Sequence, residues 1–85
     1  MLTKHVLYRK YGGYLYIINL NTSKSYVFEG IAGDLIDILA TAESINVDEI
    51  VTRIEEDYKV ENPAQMRKEV EDFVKVLEFD DILRR

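Results

Sequence analysis

The sequence predicts an α+β domain in which a three-stranded antiparallel sheet precedes three helices. Three observations predict it. The first third of the chain is rich in β-favouring side chains interrupted by turn residues. From Glu29 onward the apolar spacing changes from two to three or four. Two of the later apolar stripes are preceded by asparagines suited to helix capping.

His5-Val6-Leu7-Tyr8-Arg9 is a short apolar and aromatic run. Gly12-Gly13 behind it suits a tight hairpin that needs positive φ. Tyr14 to Ile18 consists almost wholly of strand-favouring types. Asn21-Thr22-Ser23 reads as a second turn, because short polar side chains bond their own backbone. Lys24-Ser25-Tyr26-Val27-Phe28 is the third strand, with Tyr26 and Phe28 on one face and Ser25 and Val27 on the other. The sheet is expected over residues 5–28.

Ile31, Leu35, Ile38 and Leu39 share one helical face, which gives a first helix over about 30–42. Gly33 lies inside it, weakens it by up to about 1 kcal/mol relative to alanine, and leaves room for another element to approach. Asn46 with Glu49 fits a capping box ahead of the stripe Val47, Ile50, Val51, Ile54 and Tyr58, a second helix over about 47–58. Glu55, Glu56 and Asp57 oppose the helix dipole at its end. Asn62, Pro63 and Gln65 open a third helix over about 63–79. Its stripe is Met66, Val70, Phe73, Val74 and Leu77, widened by Val76, and Glu71 is expected to pair with Lys75. Ile82 and Leu83 are expected to tuck back onto the core. The whole reads as one winged-helix-like domain over residues 1–85.

A chain of 85 residues and 9.9 kDa has no room for a separate cofactor domain. With 47% apolar and 32% charged residues it has a globular balance. It contains no cysteine, which excludes disulfides, thiolate zinc sites and thiol nucleophiles. No apolar run reaches the roughly 18 residues that would cross a membrane, and Met1 to His5 lacks a signal-peptide stretch, so a cytoplasmic location with no membrane partner is expected. The net charge of −5 argues against nucleic acid as a partner. Charge is also uneven: residues 1–28 carry Lys4, Arg9, Lys10 and Lys24 and no acid, while all 16 acidic residues follow. A basic front on an acidic body steers an acidic partner weakly toward the front, or is uneven surface charge without function.

No catalytic constellation assembles, so neither an enzyme nor a cofactor is expected. His5 has no second histidine for metal or triad work and reads as a surface or strand residue. Gly12-Gly13 lacks the lysine and helix start of a phosphate loop. Glu55-Glu56-Asp57 lacks the spacing of a calcium loop, and this acidic run and Asp80-Asp81 read as solvated. Tyr8, Tyr11, Tyr14, Tyr16 and Tyr26, interleaved with Arg9, Lys10 and Lys24, are ordinary strand residues, a base-stacking platform or a peptide-binding surface. The meander also has two edges, and an open third strand offers N–H and C=O groups to which an extended peptide can add as a fourth strand.

Several segments, in this order, carry a family resemblance. Leu7-Tyr8-Arg9 precedes an apolar strand after a glycine turn, and Tyr26-Val27-Phe28 leads directly into a helix with Ile31, Ile36 and Leu39. Val47 to Val51, the helix exit Tyr58-Lys59-Val60, and the run Glu69 to Leu77 follow. From about residue 6 to 83 the chain resembles the pyrroloquinoline quinone biosynthesis protein D (PqqD-like) family. These domains are also called RiPP recognition elements, from ribosomally made, post-translationally modified peptides. Two positions depart from the pattern: Asp80-Asp81 stand where the family often has a glycine, and Phe28-Glu29 where it often has leucine-asparagine.

The resemblance implies a winged-helix-like module without catalysis. Such a module binds the leader segment of a precursor peptide and presents it to a modifying enzyme, such as a radical S-adenosylmethionine enzyme or the leader peptidase of lasso-peptide pathways. Carried onto this chain, the implied peptide-binding residues are Lys24, Ser25, Tyr26, Val27 and Phe28 on the third strand. On the third helix they are Arg67, Val70, Glu71, Val74, Lys75 and Glu78. Two other readings stay open. A winged-helix nucleic-acid regulator would need a basic third helix, whereas Glu69, Glu71, Asp72 and Glu78 outnumber Arg67, Lys68 and Lys75 there. A small dimerisation module would pair or exchange edge strands as a homodimer.

Overall fold

The computed structural model describes residues 2–42, 44 and 46–84. Strands β1 (Val6–Tyr11), β2 (Tyr14–Asn19) and β3 (Lys24–Glu29) are followed by helices α1 (Gly30–Thr41), α2 (Val47–Asp57) and α3 (Pro63–Phe79). The α+β order matches the expectation. The strand bounds differ: β1 starts one residue later and runs on to Tyr11, and β3 includes Glu29. The sheet is an antiparallel meander with β2 in the middle. Gly12 makes the first turn at φ +61°, the first central position of a II′-like hairpin. The registers pair Arg9 with Tyr16 and Tyr16 with Val27, so these three share one row across the sheet.

Alternation sorts the sheet into two faces. Val6, Leu15 and Ile17 are buried toward the helices. Against them pack Leu35, Ile36 and Leu39 of α1, Ile50, Val51 and Ile54 of α2, and Val70, Val74 and Leu77 of α3. Ile82 and Leu83 complete this core at 0% and 3% exposure. Gly33 sits where α1 crosses the sheet: a Cβ there would meet the Phe28 carbonyl oxygen at 3.5 Å and Leu15 Cβ at 3.6 Å, ordinary contact distances. Gly33→Ala is therefore expected to raise stability, by about 0.5–1 kcal/mol through helix propensity, read as a higher urea midpoint.

Both asparagine caps form: Asn46 Oδ1 accepts from Glu49 N, and Asn62 Oδ1 accepts from Gln65 N. The Gln65 side chain does not return to the cap; it donates to Glu69. Glu71 pairs with Arg67 at 3.5 Å and not with Lys75 as expected. Val76 is 53% exposed and stands outside the core stripe.

The end of α3 explains the missing glycine. Ile82 N donates to the Leu77 carbonyl and Asp81 N to that of Glu78, a Schellman arrangement whose left-handed position is Asp81, φ +59°. Aspartate tolerates that conformation better than most residues. The turn is then held by the front of the chain. Thr3 N donates to the Ile82 carbonyl, Thr3 Oγ1 donates to the Asp81 carbonyl, and His5 Nε2 lies 2.6 Å from Asp81 Oδ2. Asn19, fully buried, donates from Nδ2 to the carbonyls of Asp80 and Asp81 and accepts at Oδ1 from Asn21 N and Thr22 N. His5 thus has a structural partner seventy-six residues away.

Candidate functional site

The open edge of β3 follows from ladder parity. Leu20 N donates to the His5 carbonyl, so His5 and Leu20 are a hydrogen-bonded pair. In an antiparallel ladder such pairs alternate, so Leu7, Arg9 and Tyr11 bond β2 at Ile18, Tyr16 and Tyr14. The backbone of Leu15, Ile17 and Asn19 then faces β3 and meets Phe28, Tyr26 and Lys24. Ser25 and Val27 are left with N–H and C=O pointing away from β2. Among the described residues β3 pairs only with β2, so these groups line a free rim.

That rim faces α3 across a gap. No Cα of β3 lies within 8 Å of a Cα of α3. Side chains alone span the interval: Phe28 meets Phe73 edge-on, with ring centroids 5.7 Å apart, and Tyr26 stacks on Phe28 at 6.3 Å. All three rings are half-buried. The gap has an aromatic floor and, on one side, a row of unpaired backbone groups. An added strand would sit about 4.8 Å from β3 and lay alternate side chains onto that floor.

The residues expected on α3 are placed differently from those on β3. Val70 and Val74 are 0% exposed and belong to the core, so neither reaches the gap. Arg67 bonds Asp48 of α2 at 3.3 Å, which turns its flank toward α2. At about 100° per residue, Arg67 lies about 120° around the helix from Phe73, and Glu71, Lys75 and Glu78 lie about 140–160° from it. Within about 60° of Phe73, besides the buried Val70 and Leu77, are Met66, Glu69 and Val76. This second set flanks β3. Lys24 to Phe28 stand on the rim as expected, with Val27 57% exposed.

A polar depression lies elsewhere, where the end of β1 meets α1 and α2. Lys10 Nζ is 3.3 Å from Asp37 and 3.5 Å from Asp34, and the Tyr58 hydroxyl donates to Asp34. Asp37 and then Asp34 hold the Lys10 ammonium above its usual range. The Asp34 hydrogen bond, helped by burial, likewise raises the Tyr58 phenol. For a group raised on folding, the stabilisation is complete below the unfolded pKa and is lost as pH climbs through the folded one. Both contributions therefore vanish on the alkaline side of about pH 10. A tyrosinate absorbance titration is expected to show a late phenol that is absent in Tyr58→Phe.

No described helix is long and apolar enough to cross a membrane. A protein-family model described as coenzyme PQQ synthesis protein D (PqqD) matches residues 15–82. Among solved structures, "TbiB1 in Complex with the TbiA(beta) Leader Peptide" superposes with a TM-score of 0.85 at 18% sequence identity, covering 98% of this chain and 93% of that one. At that identity the likeness shows a shared fold. No curated protein matches the chain.

Proposed function

The chain belongs to the PqqD family, and from that premise we propose that it is a non-catalytic module that captures the leader segment of a ribosomally made precursor peptide by strand addition. The observation that carries this reading is the free rim of Ser25 and Val27, set against α3 across an aromatic-floored gap. Backbone bonds to the rim supply affinity that tolerates sequence, and side chains of the leader that enter between Tyr26, Phe28, Phe73 and Val76 supply selectivity. The structural likeness to a protein solved with a leader peptide supports leader binding by this fold. The captured peptide is presented to a modifying enzyme, of the radical S-adenosylmethionine or leader-peptidase kind.

The test is an amide titration of the labelled protein with the leader of the precursor encoded beside it. Shifts are expected at residues 24–28 and along the Met66, Phe73 and Val76 flank of α3. Shifts confined to the Arg67 and Glu71 flank, or none at saturation, would overturn the assignment.

A further inference from the structure

The face of the sheet turned away from the helices is unusually apolar. Leu7, Tyr11, Tyr14, Tyr16, Ile18 and Val27 stand on it, each between 39% and 75% exposed. Tyr14 and Tyr16 lie side by side, centroids 6.4 Å apart. With about 200 Å² for each large residue, the exposed fractions leave roughly 600 Å² of contiguous surface, apolar but for the tyrosine hydroxyls and backbone. That is at the upper end of the largest patch on an ordinary monomer and near what one partner contributes to a stable interface.

Two charges mark this face, and their placement selects the occupant. Arg9 stands on β1, and Glu29 stands at the far end of β3. Neither has an ion-pair partner among the described residues. A second copy packed face to face about a twofold axis along β2 puts β1 of one protomer over β3 of the other. Arg9 then lies over Val27 of its partner, one outward position, about 7 Å, from Glu29. The symmetry forms this pair twice, as an isologous interface requires.

We propose that the outward sheet face, centred on Tyr16, is a homodimer interface closed by reciprocal Arg9 and Glu29 pairs. Packed sheets meet through their side chains, whereas rim groups lie in the plane of the sheet. The dimer therefore leaves both β3 rims open, which distinguishes it from a dimer made by edge-strand pairing. It stands independently of the leader-binding proposal.

Light scattering and sedimentation of the full chain at on the order of 0.1 mM test it. The wild type is expected at twice the mass of one chain. Arg9→Glu and Glu29→Arg are each expected to weaken association at least tenfold, because each sets like charges opposite one another. Mixing the two variants is expected to restore the dimer, since both cross pairs become opposite in sign. Tyr16→Glu, its fold checked by circular dichroism, is expected to be monomeric. A wild type that stays monomeric throughout, a Tyr16→Glu dimer, or a mixture no more associated than its parts would each overturn the proposal.

Discussion

Val27→Pro is expected to weaken leader binding by roughly 5- to 150-fold while leaving the fold in place. The separation of effects comes from ladder parity. Val27 N–H points away from β2, so proline removes a group the protein itself does not use. The side chain is more than half exposed, so the cost to the fold is limited to about 1 kcal/mol of strand propensity. A guest strand loses its central donor, and its own carbonyl is left buried without a partner. An orphaned polar group costs about 1–3 kcal/mol, or roughly 5- to 150-fold in affinity. Val27→Ala keeps the N–H and is expected to bind within about threefold of the wild type. Calorimetric titration of both variants checks this, with thermal melts as the control on folding. Equal affinity for the proline and alanine variants would remove strand addition as the mode of capture.

Asn19→Ala is expected to be the most damaging single change to stability outside the apolar core. Asn19 has no exposed surface, and all its polar atoms are used. Its removal orphans two amide groups of the β2–β3 turn and the Asp80 carbonyl, and leaves the Asp81 carbonyl with Thr3 Oγ1 as its side-chain donor. At about 1 kcal/mol or more for each poorly rehydrated group, the loss is about 3 kcal/mol. For a domain of this size that lowers the melting temperature by roughly 12–24 °C. Asn19→Asp keeps the two acceptor interactions at Oδ1 but sets a carboxylate against two carbonyls, and is expected to be no better. Differential scanning calorimetry measures both.

The importance of Asn19 is not legible in the sequence. The strand read from the sequence stops at Ile18 and gives Asn19 no role, and its partners Asp80 and Asp81 lie more than sixty residues away. His5 is alike: its role depends on a turn it meets only in the folded chain. Local signals were more transparent. The asparagine caps, the glycine turn and the apolar stripes each rest on residues within a few positions of one another, and each appears where that spacing places it. The rim of β3 was legible for the same reason, since alternation sorts Tyr26 and Phe28 from Ser25 and Val27.

The flank of α3 was not legible. A stripe of Met66, Val70, Phe73, Val74 and Leu77 defines the buried side but leaves open which border of it meets the sheet and which meets α2. That choice is made by the path of the chain between helices, and only the contact of Arg67 with Asp48 and of Phe73 with Phe28 reveals it. A signal was nonetheless present. Val76 extends the apolar stripe on the Phe73 side alone, an apolar shoulder left exposed beside the core stripe on the border nearer β3.

Amide hydrogen exchange at Ser25 and Val27, with and without the leader peptide, bears most directly on the claim that a guest chain completes the sheet. In the free protein both amides are expected to exchange fast while Tyr26 and Phe28 between and beside them are protected, and saturating peptide is expected to slow both by at least tenfold. Protection of Val27 already in the free protein, or exchange unaltered by bound peptide, would contradict it.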